Sequence, residues 1–231
     1  MAAPGTQAAT AARWIADLRR HPAGLLLVVQ LLGLFLYPLM EATDVGRALF
    51  GTFGIVVLAL AVWVVNRSPS INWIAWLLAV PAVVLSLAAT WGGQSQWLVW
   101  AHLLEGALYF YAAAGLIVYM LRDQRVTRDE LFAAGATFTL LAWGFAFAYS
   151  VCQAWYPDSF LAAVTPGEPR TWMELLFLSF TTLSATGLGD VIPVSPPARA
   201  LAMLEMFCGV MYMALVLSRL IGLSLLRADK R

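Results

Sequence analysis

The sequence predicts an all-α membrane protein: six transmembrane helices, a re-entrant half-helix and the loop that follows it. Three observations lead there. The 231 residues are 61% hydrophobic and only 12% charged, a balance that a water-soluble domain of this length does not show. Six apolar stretches approach or exceed the roughly 20 residues a helix needs to cross a hydrocarbon core of about 30 Å. A seventh apolar run is too short to cross, and a helix-start signal precedes it.

The six stretches cover residues 23–40, 48–65, 71–91, 97–121, 131–156 and 198–226. Six spans return the chain to the side from which it started. Arg13, Arg19, Arg20, Arg67, Arg122, Arg125, Arg128, Arg227, Lys230 and Arg231 all fall on that side, which the positive-inside bias makes cytoplasmic. The opposite loops carry Glu41, Asp44 and Arg47, then the uncharged Gly92 to Gln96, then a long insertion between the fifth and sixth spans. The first span follows Arg19 and Arg20 as a signal peptide would, but Tyr37 to Glu41 offers no small-residue cleavage site, so it is read as a retained helix. Pro38 and Pro81 lie within spans, where neighbouring helices can satisfy the carbonyls they free.

The charged stretch 122–130 divides the chain. Before it come a tail over 1–22 and a four-helix bundle over 23–121; after it come a helix, half-helix, loop and helix over 131–226 and a short tail over 227–231. No internal repeat and no soluble regulatory domain is read in these segments. A net charge of +1 supplies no basic field for nucleic acid. Cys152 and Cys208 lie in apolar segments without metal-site or disulfide spacing and are expected to be buried and reduced. Metalloprotease, serine-hydrolase and phosphate-loop motifs do not occur, so an enzyme is not expected, nor is a cofactor.

The most informative stretch is Thr171 to Pro193, TWMELLFLSFTTLSATGLGDVIP. Thr171 followed three residues later by Glu174 is a capping box. The apolar run Leu175 to Leu183 then enters the membrane and stops part way. The C-terminal end of this half-helix is expected to turn its partial negative charge toward a cation. Next comes Ser184-Ala185-Thr186-Gly187-Leu188-Gly189-Asp190, whose glycines permit backbone conformations that let carbonyls replace an ion's hydration shell.

On these residues the segment from about Leu131 to Leu226 resembles the pore domain of potassium channels. The family's TVGYGD aligns with Ala185-Thr186-Gly187-Leu188-Gly189-Asp190, and Pro193 follows as it does in the family. The resemblance implies a homotetramer that passes potassium passively, with K+ held by backbone carbonyls of Thr186, Gly187, Leu188 and their neighbours. Two departures stand out. Ala185 replaces a threonine whose hydroxyl completes the innermost ion site, a loss that Ser184 can compensate. Phe177 and Leu178 replace an aromatic pair that braces the filter from behind.

Ionisable residues inside spans are costly enough to suggest a role. His102 and Glu105 share one face of the fourth helix and are read as a sensor or as a mutually satisfied pair. Glu205, one turn before Gly209, is read as bracing the filter or facing the ion path. Gly209 itself is read equally as a gating hinge or as a close-packing point. Arg219 can snorkel to headgroups. The fourth span carries no repeated positive residues, which argues against steep voltage gating. The Trp residues Trp63, Trp73, Trp76, Trp91, Trp97 and Trp100 cluster near span ends as interfacial anchors.

The expectation is thus a multi-pass cell-membrane protein of bacterial inner-membrane type, with both termini cytoplasmic, whose partners are the lipid bilayer and three further copies of itself. Its rivals are a monovalent cation channel that does not separate K+ from Na+, a transporter with similar loops, and a non-conducting sensor or accessory subunit.

Overall fold

The computed structural model describes residues 22–41, 54, 56–64, 72–92, 95–122, 128–165, 167–219, 221 and 222. Four expected spans appear as α1 (Pro22–Glu41), α2 (Asn72–Gly92), α3 (Ser95–Arg122) and α4 (Arg128–Trp155). The half-helix is α5 (Trp172–Leu183), and the last span begins as α6 (Pro196–Tyr212). Of the span expected at 48–65, residue 54 and residues 56–64 are described, as helix. Most of the arginines and lysines used to orient the chain lie outside the described residues. Three described segments, Gln96–Arg122, Asp129–Trp155 and Pro196–Val216, are long and apolar enough to cross a membrane. The apolar segments in α1 and α2 are shorter, Pro22–Tyr37 and Trp73–Ala89.

The linker expected at 122–130 is shorter than the charge run suggested. Arg122 belongs to the last turn of α3, while Asp129 and Glu130 belong to the first turn of α4. Each sign suits the helix end on which it sits, because helix C-termini are electronegative and N-termini electropositive. Charge alone therefore marks helix ends here as much as loop.

The described residues are mostly helical, as expected, with one short addition. Strands β1 (Phe160–Ala162) and β2 (Val191–Pro193) pair antiparallel with Leu161 opposite Ile192. Three residues are too few to display alternation in sequence, so this pairing was not legible there. It ties the chain leaving α4 to the chain leaving the loop after α5. The tie continues where Val194 N–H donates to Ser159 O at 2.9 Å and the Ser195 hydroxyl donates to that of Ser159 at 2.7 Å. Ser195 also caps α6, accepting from Ala198 N–H, with Pro196 and Pro197 in the first turn, where no amide is needed.

Helix α4 is the hub, packing against α1, α3, α5 and α6. Its apolar window is 72% buried, against 28% for the last helix. Small residues on α4, Ala133, Ala136, Ala142 and Ala146, let its neighbours approach closely. Aromatic rings fill the wider gaps, with Tyr109 stacked on Phe147 at 5.6 Å and edge-on to Trp143 at 5.8 Å. A buried hydrogen bond from the Thr139 hydroxyl to Gln30 Oε1, 2.6 Å long, fixes α1 on α4. Cys152 and Cys208 are both free, the former buried and the latter half-buried.

The buried residues of α6, Ala198, Ala202, Glu205, Gly209 and Tyr212, alternate four and three apart and form one seam. The opposite face exposes Met203, Leu204, Met206, Phe207 and Val210. After Tyr212 the expected single helix changes character, and Met213–Leu217 forms a π-helical turn. Arg219 does not simply reach outward: its guanidinium donates to the Met120 and Leu121 carbonyls at the C-terminal end of α3. A cation there meets both unfilled acceptors and the negative end of the helix dipole.

At Gly209 the packing reading has a direct contact behind it. The helix runs through this position, and a Cβ placed there would stand 2.1 Å from the Leu183 carbonyl oxygen, which is backbone and cannot swing aside. Gly209→Ala is therefore expected to destabilise the protein by about 1–3 kcal/mol through overpacking, measured as thermal unfolding in detergent. Gly222→Ala, at a helical position where nothing lies within 4 Å, is the control and should not lower the transition.

Candidate functional site

The site is the end of α5 and the loop it delivers. At 12 residues the helix is about 18 Å long, about half the thickness of a hydrocarbon core. Its capping box forms as the spacing predicted: Glu174 N–H donates to Thr171 Oγ1 at 3.3 Å, and Thr171 N–H to Glu174 Oε2 at 2.7 Å. The sequence reading missed what holds the cap. The buried Arg170 guanidinium donates to Glu174 Oε1 and Thr165 Oγ1 and to the carbonyls of Thr165 and Glu168. Its backbone is held from both sides by the Gln153 amide, at 2.8 and 2.9 Å.

At the other end the helix carbonyls are used in a way the dipole argument did not foresee. They accept amides from the loop rather than standing free toward an ion. Ala185 N–H donates to Thr182 O at 3.1 Å, while Thr186 N–H and Gly187 N–H both donate to Thr181 O, at 2.9 and 3.0 Å. All peptide bonds among the described residues are trans, so each carbonyl lies opposite the amide that follows it. The carbonyls of Ser184, Ala185 and Thr186 consequently point together away from the end of α5. An ordinary extended strand would alternate them.

The backbone angles have the matching signature. Ala185, Gly187 and Gly189 have φ of 58°, 61° and 78°, while Thr186 and Leu188 between them do not have positive φ. Glycine accepts such angles freely, but for Ala185 the left-handed region costs about 1–2 kcal/mol. The sequence reading treated Ala185 only as a missing hydroxyl. Its backbone is the more unusual feature. Ser184 to Asp190 are all exposed, and Ser184 Oγ lies 2.8 Å from Thr186 Oγ1 at the inner end of the loop.

Behind this loop sits Glu205, fully buried. It lies on the packed seam of α6 and not on its exposed side. Tyr149 of α4 donates to one carboxyl oxygen, and the Ser179 hydroxyl of α5 lies against the other. Leu178, one of the two residues read as replacing an aromatic pair, is buried without a polar group, and Phe177 is exposed. The polar brace is the next residue, Ser179. Neither it nor Tyr149 was singled out in sequence, where one serine in an apolar run and one tyrosine in a long span carry no signal.

The Ion channel family model matches residues 106–223, just over half of the chain. The chain belongs to the ion channel family. It is accordingly a membrane protein with a channel function, and the match begins within α3, one helix earlier than the resemblance read from the sequence. Comparison of the chain with curated proteins and with solved structures found no match in either.

In the channel, His102 and Glu105 do not pair with each other. His102 Nδ1 lies 2.9 Å from Ser150 Oγ of α4, and Glu105 Oε1 accepts from Ser86 of α2 at 2.8 Å. One turn of α3 thus fastens two different neighbours. The reading of a mutually satisfied pair is replaced by two interhelical ties.

The Arg170 hub supplies a test. Thr171→Ala removes one cap bond and is expected to cost about 1 kcal/mol. Arg170→Lys keeps the charge but cannot present a planar fork to acceptors on several residues. The lysine variant should therefore lower the midpoint of thermal unfolding further than Thr171→Ala; an equal or smaller loss would show that the charge alone matters.

Proposed function

We propose that the channel is a homotetramer that conducts potassium passively, with Ser184, Ala185, Thr186, Gly187, Leu188, Gly189 and Asp190 as its filter. The observation that carries this reading is the shared direction of the carbonyls of Ser184, Ala185 and Thr186, set by amides that α5 holds. Potassium sites built from backbone need oxygens converging on one axis, and one loop offers oxygens on one side only. Four copies close the ring. The permeant ion is K+, with Na+ as the competitor, and no other cofactor is involved.

Two further features fit. The exposed Met203, Met206, Phe207 and Val210 face of α6 lies opposite the seam that binds the rest of the subunit, which suits contact with other copies and a pore lining. The nearness of Ser184 Oγ to Thr186 Oγ1 suits a hydroxyl pair at the inner mouth that stands in for the absent threonine at 185. The bundle before 122 lies in the same cell membrane, with both termini cytoplasmic. A non-selective cation channel is the second reading, and the methyl group of Ala185 at that inner mouth is the feature that favours it.

Flux into liposomes under a potassium gradient, with sodium in a parallel arm, tests both readings. Fast potassium flux with little sodium flux is expected, and Gly187→Val should abolish it because valine resists positive φ. Equal fluxes would select the non-selective reading, and a silent protein across all conditions would favour an accessory subunit. Ala185→Gly relieves the left-handed alanine and is expected to raise stability by up to about 1 kcal/mol with potassium flux retained.

A further inference from the structure

The Ser179 hydroxyl has one proton and two acceptors. It lies 2.8 Å from the Ala142 carbonyl oxygen of α4 and also against Glu205 Oε1. A single hydroxyl proton cannot be aimed at both. Both contacts are full hydrogen bonds only if the second proton comes from the glutamate, since a carbonyl has none to give. Tyr149, whose phenol donates to the other oxygen of Glu205, leaves Oε1 as the position for that proton.

We infer that Glu205 is a neutral carboxylic acid, donating from Oε1 to Ser179 and accepting from Tyr149, and that it is a positioning residue for the filter end of α5. The chain of bonds then runs in one direction, from Tyr149 to Glu205 to Ser179 to Ala142 O, and every member is satisfied. It joins α4, α5 and α6 two turns or fewer from the loop that begins at Ser184. The surroundings agree. Glu205 is 0% exposed, and no cation among the described residues forms an ion pair with it. Its ionisable neighbours are the Tyr149 phenol and the Cys208 thiol, neither of which can compensate a negative charge. An unpaired charge at membrane depth is costly, whereas a neutral acid with both oxygens bonded does not carry that cost.

The positioning role rests on the conducting reading above, but the protonation state does not, and the two are measured separately. Infrared difference spectroscopy of the full-length protein in liposomes should show a protonated-carboxyl stretching band that Glu205→Gln removes. A spectrum in which Glu205→Gln removes only a carboxylate band overturns the inference, whatever the flux. Glutamine retains a donor for Ser179 and an acceptor for Tyr149, so Glu205→Gln should keep potassium flux and the potassium-to-sodium ratio near those of the parent. Glu205→Ala removes both interhelical bonds and should lower flux by about tenfold, the range for two such bonds of average strength together. If folded Glu205→Gln tetramers lose flux as the alanine variant does, neutral positioning is overturned. Should the glutamine variant fail to fold, Tyr149→Phe decides: it removes one bond to the acid and should shift its band, and an unshifted band counts against the assignment.

Discussion

A polar group buried at membrane depth has to find its partners within the protein, because no water is there to supply them. In this channel that constraint gathers at Glu205. The residue sits in the middle of the seam Ala198, Ala202, Glu205, Gly209 and Tyr212, where every other member is small or ends in a single hydroxyl. Small neighbours bring α6 close enough to α5 and α4 for the carboxyl to reach Ser179 and Tyr149. Close approach and polar satisfaction are therefore one arrangement. The contact of Gly209 with the Leu183 carbonyl, one turn further on, has the same cause.

The loop after α5 inherits its shape from this anchoring. With α5 fixed at its start by Arg170 and near its end by Ser179, the last turn is a rigid set of acceptors. Thr181 O collects two successive amides, which successive residues of one handedness could not deliver, so the backbone takes φ of opposite sign at neighbouring positions. Loop conformation is thus imposed largely by the helix end, with glycine at 187 and 189 reducing the strain and Ala185 bearing it. Beyond Asp190 the pairing of β2 with β1 takes over, and the loop is held at both ends.

The parts legible in sequence were those with a local signature. The capping box of Thr171 and Glu174, the shortness of α5, the Gly187 and Gly189 alternation and three of the six expected long apolar helices follow from spacing and composition, and the described residues have them. What was not legible depends on which elements meet. Arg170 looks like a loop charge until Thr165, Glu168 and Gln153 are folded around it. The three-residue strands have no pattern to read. His102 and Glu105 share a helix face as their spacing requires, yet bond to Ser150 and Ser86 because α4 and α2 each offer a hydroxyl there. Spacing on one helix says which residues are neighbours, not whether they prefer each other to a third helix.

The last helix shows what these attachments mean mechanically. Its upper part is held to α5 and α4 through Glu205 and Gly209. Its lower end is held to α3 through Arg219, which caps the carbonyls of Met120 and Leu121. Between these anchors lies the π-helical turn Met213–Leu217, where the backbone departs from regular α-helical bonding and bends at lower cost than a continuous helix. Any relative movement of α3 and α5 must be taken up between the two anchors, and this turn is the least regular segment there to absorb it. Helix α3 is in this sense attached to the last helix of the same chain, through a side chain that sequence alone had consigned to the headgroups.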